Sequence, residues 1–312
     1  MFQFLKKRAY PIGVDMGDDS LRLAQLTNGG KGMSIVASSR ADRPADVKPG
    51  SADWQRWALE AIRLATANGR FHGKEVVAAI PAREVHVELV RMPKAADGKV
   101  EDAIFSKIRQ NLPFEPVRKN TMMQCIPTDQ DNVLVTVTER KIIERHLAIF
   151  ERAHLNITSI GVWPMALANC YAKFFCRRRT DTETVVMLLN IETNSSNLVI
   201  CRHENPLFAS CIPIGSQQLA DENMVTRLVL ELTASRRRFA STRRHTQIER
   251  LIFLSGPAAD VETYTTIAKQ LEIQAQIGDC VAALEMADPD CCGIDRRNGN
   301  VSWATAFGLS LS

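Results

Sequence analysis

One strand-turn-strand device occurs twice in this chain, and a duplicated supersecondary unit constrains the fold more than any single motif does. The first copy runs Ile12-Gly13-Val14-Asp15-Met16 into a tight Gly17-Asp18-Asp19 turn, and Leu21, Leu23 and Gln25 alternate on the return strand. The second is the apolar run Val185 to Ile191, the polar turn Glu192-Thr193-Asn194-Ser195 and a returning strand Asn197 to Cys201. With Asp15 set on Asn190, Ser20 falls on Ser195 and Leu23 on Leu198 without a gap, an offset of 175 positions. Hairpins of this kind are common, so what surrounds them decides the value of the match.

After the first hairpin and a polar stretch from Ser38 to Gly50, helical spacing of Trp54, Trp57, Ala58, Ala61, Ile62 and Ala65 predicts an amphipathic helix. Val76 to Ile80 and Val85 to Val90 read as strands. From Met92 the texture changes. A helical stripe of Val100, Ile104 and Ile108 ends at Leu112-Pro113-Phe114-Glu115-Pro116, a charged stretch runs to Asp131, Val133 to Val137 is a strand and Lys141 to His154 a helix. These residues read as a compact insertion at about 91–156. The second hairpin is followed by a helix from about Asp221 to Phe239, the strand Leu251-Ile252-Phe253-Leu254, Ser255-Gly256-Pro257 and a helix from Val261 to Leu271. A strand-glycine-helix unit aims free helical N–H groups at a ligand. Trp303-Ala304-Thr305-Ala306-Phe307-Gly308-Leu309 forms a small-residue helix suited to close packing.

The length of 312 residues allows two domains, here 1–183 and 184–312, the second with a short helical part at about 216–248. With 45% apolar and 24% charged residues, wholesale disorder is excluded. No apolar run approaches the ~20 residues of a membrane span. Met1 to Arg8 places its apolar residues before its cations, the reverse of a secretory signal, so a cytoplasmic location is expected. Eight cysteines make no C-x-x-C and no zinc spacing, which predicts reduced thiols and no structural metal. A net charge of +4 is too small to argue for nucleic acid. The arginine runs at 177–179, 236–238 and 243–244, with Lys6-Lys7-Arg8, read as solvated helix ends and linkers or as a peripheral membrane contact. No histidine falls in a catalytic motif, and Ser195 lacks the surroundings of a nucleophile, so no catalytic residue is assigned.

The order of these pieces resembles the actin-like ATPase superfamily and, within it, the PilM-like family of type IV pilus assembly. The resemblance rests on Phe4-Leu5-Lys6-Lys7-Arg8 before Ile12 to Gly17 and Ser20-Leu21-Arg22-Leu23, on Leu112-Pro113-Phe114-Glu115, and on Ile212-Pro213-Ile214-Gly215. Glu231 with Ser235 and Phe239, Leu254-Ser255-Gly256 and Ala306-Phe307-Gly308-Leu309 complete it. It implies an α/β, ribonuclease H-like fold of two domains with a duplicated hairpin core and an inserted α+β subdomain. It implies a nucleotide site built from Asp15, Gly17, Asp18, Asp19, Ser20, Asn190, Thr193, Asn194, Ser195, Gly215, Glu231, Ser235 and Gly256, with Asp15 toward Mg²⁺ if Mg-ATP binds.

Such a site needs glycine for backbone approach to phosphate, hydroxyl donors and metal-directed carboxylates. Here Asp18 and Asp19 stand where relatives carry small hydroxyl residues, and each would repel a phosphate charge by roughly 3 kcal/mol at ~5 Å and an effective dielectric of ~20. Asn190 replaces an acid, Glu192 a glycine, and Pro257 a second glycine. The expectation is weak or absent binding of Mg-ATP, with a scaffold role in place of enzymatic turnover. The resemblance also implies a groove between the first domain and its insertion that captures the cytoplasmic tail of a PilN-like membrane protein, residues 84–156 forming one wall. Self-association and peripheral inner-membrane contact are further expectations. A working ATPase or phosphotransferase, or an FtsA-like filament former, are the alternatives.

Overall fold

In the computed structural model, residues 9–29, 32–68, 70–93, 99–128, 131–176, 178–243, 246–255, 261–286, 294 and 302–312 are described. The chain opens with β1 (Ile12–Met16), β2 (Ser20–Gly29), β3 (Gly32–Asp42), α1 (Ala52–Asn68) and β4 (Glu75–Ala79). A 3-10 turn over Ala82–Glu84 leads into β5 (His86–Arg91), α2 (Val100–Ile108), β6 (Thr121–Thr128), β7 (Asn132–Glu139), α3 (Arg140–Arg152), β8 (Asn156–Gly161) and α4 (Trp163–Phe174). The rest comprises β9 (Val185–Ile191), β10 (Ser196–Arg202), β11 (Asn205–Ile212), α5 (Glu222–Thr242), β12 (Arg250–Phe253), α6 (Val261–Gln270), β13 (Gln274–Ile277), β14 (Glu285–Met286) and α7 (Ala304–Ser310).

The duplication extends well past the hairpins. One sheet runs β14-β3-β2-β1-β4-β8 and the other β11-β10-β9-β12-β13, so five strands repeat in the same order. Register repeats too. Asp15 lies opposite Arg22 in the first hairpin, and Asn190 opposite Asn197 in the second. The parallel neighbours keep the same offset of 175, with Gly13 beside Val77 and Leu188 beside Ile252. A one-residue slip would turn every buried side chain of β1 or β9 to the opposite face, and both strands are buried throughout, so the register is strongly specified.

The layers follow from which faces are apolar. α1 and α3 cover the outer face of the first sheet through Trp54, Ala58, Ile62, Ile149 and Phe150. α5 and α6 cover the outer face of the second through Leu228, Leu232, Tyr264 and Ile267. Between the sheets, α7 lies on β1, β2 and β4, α4 lies on β9 to β11, and the two helices pack on each other. That middle layer combines large aromatic side chains with two crossings where backbones touch. A Cβ on Gly13 would stand 2.1 Å from the Ala306 carbonyl oxygen, and one on Gly308 only 1.8 Å from that of Ala166. Glycine is required at both crossings because backbone touches backbone there.

Several boundaries differ from the sequence reading. The strand predicted over 85–90 is β5, and it pairs with β7 instead of joining β4, so the inserted three-stranded sheet β5-β7-β6 starts at about residue 86. Its far boundary also moves, because α3 packs into the first-sheet core and lies outside the insertion. The stretch before Asp131 contains β6, whose Thr-Met-Met-Gln-Cys-Ile-Pro-Thr sequence lacks clean alternation because it is a half-exposed edge. Residues after 184 do not all remain with the second sheet. β14 pairs with β3, and Ser310 Oγ donates to the Pro11 carbonyl at 2.8 Å while accepting from Leu26 N at 3.2 Å.

Among the described residues six cysteines are free thiols, and Cys291-Cys292 lie outside them. Arg243 is buried beside the Phe239 ring, contrary to the solvated-linker expectation, while Arg177 and Arg244 lie outside the described residues. No described helix is long and apolar enough to cross a membrane.

Candidate functional site: a clamped cleft and an apolar groove

The two hairpin turns face each other across a cleft. Asp15, Gly17, Asp18 and Asp19 from the first, Glu192, Asn194, Ser195 and Asn197 from the second, and Ile80 to Ala82 line one cavity of about 30 Å³. Space of that size accommodates one or two waters.

The register that aligns Asp15 with Arg22 also fills the cleft. Arg22 Nη1 donates to Asp15 Oδ2 at 3.2 Å, and Nη2 reaches across to Glu192 Oε2 at 3.0 Å, with Nη1 at 3.4 Å from Oε1. Asn190 Nδ2 steadies the same Glu192 at 2.8 Å. A guanidinium thus binds one carboxylate from each half of the molecule, and all three side chains are nearly buried. Burial would discharge Arg22, but Glu192 and Asp15 outweigh it and hold its pKa above the usual value. Burial, then Glu192, pushes Asp15 up to about 7 against the pull of Arg22. One guanidinium does not fully neutralise two buried carboxylates, and the Asp15 carboxyl is held well above its ordinary range.

Asp18 points inward rather than to solvent. Its carboxylate lies 2.6 Å from Arg83 Nε, and burial raises it to about 6 although Arg83 opposes this. The backbone oxygens of the turn are also engaged, with Arg43 Nε donating to Asp18 O at 2.5 Å and Arg43 N to Asp19 O at 2.8 Å. Ser20 is buried in β2 and is not among the residues lining the cavity. In the second turn, Glu192 N donates to Ser195 O at 2.8 Å, and Thr193 O accepts from Gln217 N at 3.2 Å. Gly215 closes over that turn, where a Cβ would meet Thr193 O at 2.3 Å.

Other residues expected at a nucleotide site are placed elsewhere. Glu231 is exposed and Ser235 buried on α5, and neither lines the cavity. Gly256 lies outside the described residues, and its neighbour Ser255 is spent on structure, accepting from Ile191 N at 2.7 Å. The cleft that would receive Mg-ATP is narrow and internally paired. Four carboxylates border a water-sized space, Asp15 is tied to a cation supplied by the chain itself, and no described group of three or more acidic, histidine or cysteine residues has a geometry that could hold a metal. Arg22 and Arg83 were missed because an arginine in a strand or turn reads as a surface residue. Arg22 sat between two core leucines and across from Asp15, which is the signal that could have exposed it.

A second cavity, of about 180 Å³, opens between the first sheet and the insertion. Ile80, Ile160, Gly161 and Val162 form one side, with Ile143 of α3; Val85, Met122, Met123, Gln124 and residues Thr136 to Thr138 form the other. None of these carries a charge. β6 and β8 are the end strands of their sheets among the described residues, so each offers an unpaired edge beside the groove. Met122 and Met123 are consecutive, hence on opposite faces of β6, and both line the groove, so it crosses the strand's edge.

Two sheets that share five strands of repeated topology, hairpin turns meeting at a cleft and a domain inserted after β4 define an actin-like ATPase fold. Comparison with solved structures agrees. The chain superposes on a chain of the PilM–PilN type IV pilus biogenesis complex with a TM-score of 0.75, at 18% identity, covering 97% of this chain and 98% of that one. The ethanolamine utilization protein EutJ of Carboxydothermus hydrogenoformans gives 0.53 at 11% identity, covering 98% and 90%. A Bacteroides thetaiotaomicron protein of unknown function with an actin-like ATPase fold gives 0.50 at 10%, covering 91% and 96%. No family model and no curated protein sequence matches the chain.

Proposed function

We propose that this protein is a PilM-like scaffold of a type IV pilus or related secretion assembly, which holds the extended cytoplasmic tail of a PilN-like membrane protein in the groove between its first sheet and its insertion. The groove carries the reading. It is uncharged, is bordered by two open strand edges, and lies against the module inserted within the first of the two repeated halves. An extended tail docks in such a place by adding backbone hydrogen bonds to an edge while apolar side chains enter the pockets beside it. Similarity to a chain of a PilM–PilN complex supports the choice of partner. The protein on this reading works at the cytoplasmic face of the inner membrane, tethered through its partner.

The same reading makes the cleft a structural joint, with Arg22 standing in place of a metal-bound nucleotide. A labelled synthetic peptide of the PilN-like tail should bind the wild-type chain at micromolar concentration, and Ile160→Asp or Met123→Asp should weaken it at least tenfold, about 1.4 kcal/mol. Absence of binding at those concentrations overturns the scaffold reading. Millimolar Mg-ATP should leave Tm unchanged; a rise of several degrees overturns the account of the cleft.

A further inference from the structure

The cleft and the groove share a wall. Ile80 lines both cavities, Pro81 and Ala82 line the cleft, and Val85 lines the groove. The residues between are fixed from three directions. Arg83 Nε lies 2.6 Å from Asp18 Oδ1 in the first hairpin turn. Arg145 Nη2 donates to both Glu84 oxygens at 2.5 Å, with His146 Nε2 at 3.2 Å from Oε2, both from α3. The Glu84 carbonyl accepts from Thr138 Oγ1 at 2.7 Å, and Thr138 itself lines the groove.

We propose that Asp18 and Arg83 are positioning residues for the groove: their ion pair, made on the cleft side, sets the wall against which the tail packs, so the state of the first hairpin turn governs tail affinity. The inference rests on the tail-binding reading above. Its physical basis is the weakness of the wall's own backbone. The segment between β4 and β5 is a single 3-10 turn closed by Glu84 N to Pro81 O and Val85 N to Ala82 O, with no sheet partner. Short 3-10 turns hold poorly alone, so side-chain ties decide where this one sits. The Asp18–Arg83 tie is also dispensable for folding. Arg83 is 43% exposed, and a pair so placed adds little to global stability. Its loss therefore moves the wall without unfolding the chain, whereas the Glu84 ties are buried and structural.

Fluorescence anisotropy with the labelled tail peptide, on the full chain, tests this. Asp18→Asn and Arg83→Met should each weaken binding five- to tenfold, the double variant no more than either single one, and Arg83→Lys should recover most of the loss. Tm should stay within about 2 °C of wild type in each, as expected for a pair whose arginine stays open to solvent. Arg40→Ala, which breaks the exposed Arg40–Asp42 pair, should leave affinity unchanged. In parallel, amide exchange without peptide should accelerate at Glu84 and Val85 in Asp18→Asn and not in Arg40→Ala. If wild type binds and the variants bind equally well, the coupling is wrong and the scaffold reading stands. If wild type does not bind, the scaffold reading fails and exchange decides the rest: acceleration at Glu84 and Val85 supports the positioning role, and unchanged exchange overturns it.

Discussion

Replacing Arg22 by methionine tests the clamp most directly. Methionine keeps the unbranched stem in the β2 core and deletes only the guanidinium, so packing changes little. Asp15 and Glu192, each 11% exposed in the side chain, would then face one another across the cleft with no cation. Removing one partner of a buried ion pair costs about 3–5 kcal/mol, because the other charge stays desolvated. The lower end applies here, since Asp15, at about 7, can relieve itself by taking a proton. With ~2.1 cal/mol/K of unfolding entropy per residue, about 3 kcal/mol over a chain of this length lowers Tm by about 5 °C. The assay is thermal denaturation at pH 7.5 of wild type, Arg22→Met, and Arg22→Met combined with Asp15→Asn and Glu192→Gln. Neutral amides need no cation, so the triple variant should regain at least half of the loss. A Tm for Arg22→Met within 1 °C of wild type refutes the clamp, and a triple variant no better than the single one shows that the loss was packing.

Three further outcomes are expected. Asp15 has a folded pKa above its unfolded value, so the stability it contributes is present below about 4 and is lost as pH rises through about 7; the Tm of Asp15→Asn relative to wild type should therefore climb between pH 5 and pH 8. Glu84 has the opposite sign: burial pushes it up, but His146 and Arg145 outweigh that and hold it below the usual value. Glu84→Gln should cost about 3 kcal/mol in urea denaturation at pH 7, with the difference shrinking as pH falls through the carboxylate range. Gly308→Ala should lower Tm by several degrees although alanine favours helix by about 1 kcal/mol, because the added carbon meets the Ala166 carbonyl. A Tm at or above wild type would mean that α7 shifts freely on α4.

What could be read from the residues follows the strength of local periodicity. β1, β9 and β12 are short apolar runs beside turn residues, and α1, α5 and α6 carry stripes at helical spacing, so these elements were legible. β6 was not, because an edge strand is half exposed and its pattern of methionine, glutamine, cysteine and proline follows no period. β5 was legible as a strand but not as a member of the inserted sheet, since alternation says nothing about which neighbour completes the ladder. The site shows the same division. Asp15, Asp18, Asp19, Asn194 and Ser195 converge as the duplicated turns imply. Arg22 carried a local signal, between two core leucines and seven residues from Asp15, but its Glu192 contact, 170 residues away, and the Arg83 pair across the fold could not be assigned.

The docking of α7 has a consequence for how the chain is made. Ser310 bonds Pro11 across 299 residues of sequence, and α7 covers β1, β2 and β4. At about 5–20 residues per second, those partners leave the ribosome about 15–60 s apart. During that interval the inner face of the first sheet has no lid. Nascent chains stalled before residue 304 should therefore be cut by protease within β1 or β4, whereas chains in which α7 has emerged should resist.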